Sequence, residues 1–365
     1  MNAGEQNRDG PEEWSWRVQA VLRVARSIGR PISREDLLEL LPREGPGGEE
    51  ELVDRLLSGA DAGADGTRKA NRSDGTLDAS ERGELVGTRS QQARGFLEAI
   101  PRPLKACLCL AAITGSTAYG SPGGADDLDL FFVTREGSLW AFLAAAFVYQ
   151  RKRKWRSPKD RDPTYCLNFA MEDTVLPTEF GDPRGFLFAR ETLMMRPVVG
   201  GALLRKVLVD NPWIGEEIPR LYERRLHELP GDLENDGHVP ILIRLANLFL
   251  YPGVAAYLQT KALFQNHQHR RWGRSESTFR VETGLRRMAV RSRKYELLTA
   301  LYGQPTASPL GSATSAHGPV LVEGSPTGRG SGTALPKHIA RGAPVMGEGS
   351  PAKPGEGPEG PASGS

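Results

Sequence analysis

Ile113-Thr114-Gly115-Ser116-Thr117-Ala118-Tyr119-Gly120-Ser121-Pro122-Gly123-Gly124-Ala125-Asp126-Asp127-Leu128-Asp129-Leu130-Phe131-Phe132-Val133 is the stretch that decides the fold of this chain. Asp127 and Asp129 stand at i and i+2 in an apolar run. On a strand such residues share a face, because side chains alternate across the pleat. Two carboxylates on one face are costly to bury unless a cation sits between them, and hard divalent cations take carboxylate oxygens. Upstream, the Gly115-Ser116 turn offers backbone N–H groups and a hydroxyl to a phosphate. Gly120, Gly123 and Gly124 let the intervening loop turn sharply, although simple loop punctuation accounts for them equally well. Asp126, by alternation, faces away from the pair and reads as a loop-end or solvent residue. A phosphate cradle beside paired carboxylates is the equipment of phosphoryl or nucleotidyl transfer.

The flanking chain agrees with this reading. Cys107–Ile113 is a continuous apolar run of strand length, and Gln91–Ile100 reads as a helix closed by Pro101 and Pro103. After the aspartates, Ser138 is placed to cap an apolar helix, Leu139–Gln150. Pro163–Met171 is a third strand candidate.

Apolar-Gly-Ser, a short spacer and an apolar-flanked Asp-x-Asp together resemble the signature of the DNA polymerase β-like nucleotidyltransferase superfamily. Cys166-Leu167-Asn168-Phe169 and Asn211-Pro212-Trp213 resemble segments of a bacterial subgroup of nucleotidyltransferase-like proteins. The resemblance implies an α+β fold: a small mixed sheet with flanking helices. It implies that Asp127 and Asp129 are catalytic and hold Mg2+ (or Mn2+), while Gly115 and Ser116 bind the nucleotide. Members of the superfamily normally carry a third carboxylate on a neighbouring strand. Here Asn168 stands near the middle of that strand, with Glu172 and Asp173 at its end. Asp173 is the catalytic candidate, and the choice among Asn168, Glu172 and Asp173 stays open.

The activity so implied is transfer of NMP from an NTP, ATP first, to a hydroxyl or a protein side chain, with release of pyrophosphate. The acceptor is a small molecule, a protein or an RNA. With Asn168 in the third position, the alternative is a catalytically weak or inactive nucleotide-binding protein on the same fold. A DNA-binding regulator built on the N-terminal helices is a weaker alternative.

The chain of 365 residues has a formal net charge of +2, so no whole-protein field draws it to nucleic acid or to a membrane. Its three cysteines, Cys107, Cys109 and Cys166, fall in apolar runs and read as small core hydrophobes in a reducing compartment. No signal peptide is legible in Met1–Glu13, expected to be disordered. Val239–Leu258 is long and apolar, but Arg244, Asn247 and Pro252 interrupt it. A cytoplasmic protein without a membrane partner is the expectation.

Residues 14–90 read as helices and a short strand, Gly83–Thr88, in winged-helix-like order. Glu49, Glu50, Glu51 and Asp54 on the third helix argue against DNA. Residues 91–180 form the catalytic domain and 181–302 a helical region, closed by an amphipathic helix at Glu282–Tyr302. The basic runs Arg151–Arg156 and Arg270–Lys294 read either as phosphate or RNA contacts or as solvated helix faces. Residues 303–365 are rich in Gly, Pro and Ser and are expected to be disordered.

Overall fold

The computed structural model describes residues 18–19, 21–22, 32–41, 50–51, 53–55, 57, 79–123, 126–156, 164–232, 237–273, 278–293, 295–296 and 298–299. All of them belong to a compact unit spanning Met1–Pro309. The segments 1–13 and 303–365, expected to be disordered, lie outside the described residues. In chain order the elements are α1 (Arg34–Glu39), α2 (Ala79–Glu98), α3 (Arg102–Lys105), β1 (Leu108–Ile113), α4 (Gly115–Ala118), β2 (Leu128–Thr134), α5 (Leu139–Arg156) and β3 (Tyr165–Glu172). A 3-10 turn at Asp173–Val175 leads to α6 (Leu176–Phe180), α7 (Gly185–Met194), β4 (Arg196–Val199), α8 (Gly201–Asp210), α9 (Trp213–Glu217) and α10 (Pro219–Glu228). The chain then forms α11 (Ile241–Arg271), β5 (Phe279–Gly284) and β6 (Arg287–Ser292).

The strands make one six-stranded mixed sheet in the order β4-β1-β2-β3-β6-β5. Neighbours are antiparallel except β2 and β3, which are parallel. A parallel step needs a crossover, and α5 supplies it. One face of the sheet, with Leu128, Leu130, Phe132 and Leu167, packs on Trp140, Phe142 and Leu143 of α5 and Phe96 of α2. The other face, with Leu110, Ala112, Phe131, Val133 and Met171, meets Phe186, Ala189 and Leu193 of α7 and Leu204 and Leu208 of α8. Val18, Val21, Leu37, Leu41 and Val53 join this second cluster, so the N-terminal helices share a core with α7–α10. Glu39 of α1 also pairs with Arg224 of α10 at 2.7 Å.

The start of α5 shows why this helix begins where it does. Glu172 Oε1 accepts from Gly137 N at 2.8 Å, and its carboxylate also accepts from Leu139 N. Asn247 Oδ1 accepts from Trp140 N at 2.6 Å and Ala141 N at 3.3 Å. Two buried side chains from distant elements thus satisfy N–H groups that a helix N-terminus leaves without intrahelical partners. Ser138, the expected cap, instead donates its hydroxyl to Arg135 O at 2.7 Å. Ser33 does cap α1, accepting from Asp36 N at 3.0 Å.

Three sequence expectations are corrected. Gly83–Thr88 is the early part of α2, not a strand; the helix running on to buried Ala93, Phe96 and Leu97 overrides the strand preference of Leu85-Val86. Pro252, which interrupts the apolar run in the sequence, does not break the helix: Ile241–Arg271 is continuous through it. Over Glu282–Tyr302, where a helix is expected, residues 282–292 belong to the β5–β6 hairpin; among the described residues beyond it, 293, 295, 296, 298 and 299 are helical. Met288 and Ala289 of β6 pair with Ala170 and Phe169 of β3 and are buried there. The spacing that reads as a helical stripe also holds a strand alternation, and pairing with β3 selects the strand. With β4, the hairpin makes 181–302 a mixed rather than a helical region.

Candidate functional site

β1 and β2 come together at the Gly-Ser turn. Thr114 N donates to Asp129 O at 3.0 Å, which registers the end of β1 against the start of β2. Gly115 then turns with φ +64°, a region that L side chains rarely adopt. A β-carbon on Gly115 would overlap Asp129 Oδ2 and stand 3.2 Å from its Cγ. Glycine therefore suits this position by conformation, and a side chain here would have to move the Asp129 carboxylate. Asp129 is half-buried and shares the face of Phe131 and Val133; Asp127 is exposed just before the strand.

Asn168 is the neighbour of Asp129. Along β3 the register runs Leu130↔Leu167 and then Phe131↔Phe169, so Asn168 is an extra residue, a β-bulge. The bulge lets Asn168 and Phe169 face the same side, and Asn168 Nδ2 donates to Asp129 Oδ1 at 2.5 Å. Cys166 Sγ donates to Asp127 Oδ2 at 3.2 Å. Burial pushes this thiol up, and the Asp127 and Asp129 charges push it the same way, so it stays protonated. Cys166, read from sequence as a core residue, is thus a polar neighbour of the aspartates.

The loop between the turn and the aspartates is held by Asp126. Its Oδ2 accepts from Ser116 Oγ at 2.8 Å and from Gly123 N at 2.7 Å. Of the two readings of Asp126, loop-end or solvent residue, the structure has the first: it precedes the strand and clamps the loop. Ser116, expected on a phosphate, here gives its hydroxyl proton to Asp126. Arg196 Nε holds the same loop through Ala118 O at 3.0 Å, and Arg190 of α7 lies over the Tyr119 ring at 4.7 Å. Arg89 of α2 is buried, and the charges of Asp126 and Asp127 offset the desolvation that lowers its pKa.

A further carboxylate comes from α7. Burial pushes the Glu191 carboxyl up to about 7; the charge of Asp129 adds to the push, while Arg190 and a hydrogen bond with Tyr295 oppose it. Glu191 was missed because it lies on a helix rather than on a strand beside the aspartates. Its signal was a charged pair, Arg190-Glu191, inside a largely apolar helical run, Phe186–Met195.

Asp173 and Glu172 are not at this site. Asp129 pairs with Cys166, whereas Glu172 pairs with Thr134 at the far end of β2. At about 3.3 Å per residue that is roughly 16 Å along the strand. Glu172 is buried as the cap of α5, where Arg286 Nε also stands 3.8 Å from it. Asp173 accepts from Glu136 N at 3.1 Å, and Cys109 Sγ lies 4.0 Å away. A parallel pairing carries the end of β3 away from the start of β2, so an acid there cannot serve both aspartates.

Among the described residues no group of three His, Cys, Asp or Glu side chains is arranged to hold a metal. The pair that exists still suits Mg2+, which keeps several waters and takes one or two carboxylates together with substrate phosphates. Asp127 is open to solvent and leaves room for both. Compared with protein-family models, with curated proteins and with solved structures, the chain finds no match.

Proposed function

We propose that the protein is a metal-dependent nucleotidyltransferase of the DNA polymerase β-like type, moving NMP from an NTP to an acceptor hydroxyl or protein side chain. The single observation that carries this reading is the approach of the Gly115 turn to the Asp129 carboxylate, with Asp127 alongside. Such an approach would offer backbone N–H groups to phosphates beside Asp129, with Asp127 held nearby through Cys166, the register partner of Asp129. The sheet supports it as well, since β1 and β2 flank the turn antiparallel and β2 continues parallel to β3.

Asp127 and Asp129 would hold Mg2+ or Mn2+, which supplies charge stabilisation to the phosphates and the attacking oxygen. Gly115 keeps the turn close to the pair. Arg190 and Arg196 bring positive charge to the loop that would meet the triphosphate. In the transfer the acceptor oxygen bonds to the α-phosphorus, the bond to pyrophosphate breaks, and the acceptor proton must leave. Glu191, with a proton affinity near neutrality, is the carboxylate suited to take it.

Asn168 favours a second reading. It stands beside Asp129, where the superfamily resemblance calls for an acid, and it donates a hydrogen bond instead of ligating as an anion. A nucleotide-binding protein without turnover is built that way.

Calorimetric titration with each of the four NTPs in Mg2+, together with a pyrophosphate-release assay, separates the readings. Small hydroxyl compounds, the chain itself and total RNA serve as acceptors. Magnesium-dependent binding with pyrophosphate release, both weakened at least about tenfold in Asp127→Asn and Asp129→Asn, is the expected result. Binding without release decides for the second reading. Binding that neither substitution changes removes both.

A further inference from the structure

We propose that α11, with α5 beside it, docks the protein on the surface of an anionic phospholipid membrane. This inference does not rest on the nucleotidyltransferase reading. α11 is 31 residues long, and its most apolar 18-residue window has a mean hydropathy of 1.5, yet only 17% of that window is buried. A core helix of such composition would be covered. Instead Leu242 is 75% exposed, Phe249 77% and Leu263 72%. Ile241, Leu245 and Leu248 extend the same stripe at helical spacing.

Of the residues that interrupt this run in the sequence, Asn247 leaves the exposed face and Arg244 stays on it as a cation. Asn247 turns inward to the N-terminus of α5. Arg244 lays its stem toward Gly137, with Cγ 3.2 Å from where a β-carbon there would be. Pro252 lies inside the helix without ending it.

Charge selects the occupant. Neither α5 nor α11 contains an Asp or Glu. α5 ends in Arg151, Lys152, Arg153, Lys154 and Arg156, and α11 carries Arg244, Lys261, Arg270 and Arg271. The helices run side by side in the same direction, since Trp140 meets Tyr251 and Phe147 meets Tyr257. Both helices therefore run their basic C-terminal turns toward the same side of the fold, where Trp155 and Trp272 are exposed. Aliphatic side chains with a cationic, Trp-bearing end fit the interface of an anionic bilayer. A second copy of this chain would bring like charges with no acid on either helix to answer them. Nucleic acid would leave the aliphatic stripe without a partner, and residues 303–365 hold few large apolar side chains to cover it.

α11 lies on the membrane and does not cross it. It is tied along its length to the fold, by Asn247 at α5, by Gln259 Nε2 to Thr283 Oγ1 at 3.1 Å, and by Asn266 Nδ2 to Phe279 O at 2.6 Å.

Flotation of the full chain with vesicles tests this. Vesicles of phosphatidylcholine alone are compared with vesicles of phosphatidylcholine and phosphatidylglycerol, at low and high salt. Binding roughly tenfold tighter to the anionic vesicles, and weakened by salt, is expected. Leu242→Glu with Phe249→Glu should abolish it while leaving the circular dichroism unchanged. If that variant does not fold, Arg270→Gln with Arg271→Gln should lower the affinity for anionic vesicles alone. No binding to either vesicle, or binding that the variants leave intact, overturns the proposal. So does a dimer in solution that Phe249→Glu dissociates with no vesicle binding by the native chain.

Discussion

Gly115 stands against the carboxylate of Asp129 so closely that a β-carbon at position 115 would overlap Oδ2. The two residues come from opposite ends of the loop between β1 and β2, and the hydrogen bond from Thr114 N to Asp129 O holds them in register. The position of the acid and the identity of the glycine are therefore one structural fact.

Gly115→Ala should be destabilising on two counts. The left-handed backbone costs a non-glycine residue about 1–2 kcal/mol, and the methyl group must displace the Asp129 carboxylate. A lower melting temperature is expected, with Mg2+-dependent nucleotide binding reduced further than stability alone explains. A variant that melts and binds like the native chain would show that the approach is looser than described.

Asn168→Asp places a third carboxylate on Asp129. Without metal, repulsion between them should cost roughly 2 kcal/mol and lower the melting temperature by several degrees. Adding Mg2+ or Mn2+ should raise it by more than in the native chain. Equal metal responses in the two proteins would count against metal binding at this pair.

Glu191 makes stability depend on pH. Its carboxyl rises from 4.5 to about 7 on folding, so the native state holds more protons than the unfolded state in that window. The contribution is fully present below about pH 4.5 and is lost as pH rises through 7. The loss is on the order of 3 kcal/mol. Glu191→Gln should flatten this slope in denaturant titrations run in a chelator. An unchanged slope would place the titration elsewhere.

Glu172→Ala and Asn247→Ala each strip acceptors from the N-terminus of α5. Leaving buried N–H groups unpaired costs about 1–3 kcal/mol. Each variant should lower the denaturant midpoint, and Glu172→Ala should leave the affinity of the folded protein for Mg2+ and nucleotide unchanged. A specific loss of affinity in Glu172→Ala, with native stability, would return Glu172 to the functional site.

Much of the centre of the fold was legible because it rests on local rules. The apolar run before Gly115, the alternation around Asp129 and the helix after Ser138 follow from chain-local periodicity, and β1, β2 and α5 stand where that periodicity puts them. The hairpin at 279–292 was not legible. Its residues satisfy two periods at once, and only the open edge of β3 chooses between them. The place of Asn168 likewise depends on a bulge that no pattern in Tyr165–Glu172 announces.

By itself the sequence determined that a strand carrying Asp129 on the face of Phe131 and Val133 follows a Gly-Ser turn after a short loop, because neighbouring residues obey the pleat whatever surrounds them. Only the tertiary structure decided which groups meet that pair. Strand register sent Glu172 and Asp173 to the far end and brought in Asn168, while the packing of α7 on the sheet put Glu191 within electrostatic reach of Asp129. It also decided that Asn247 faces inward, leaving the apolar face of α11 exposed. Register and packing join residues far apart in the chain, and local periodicity carries no information about either.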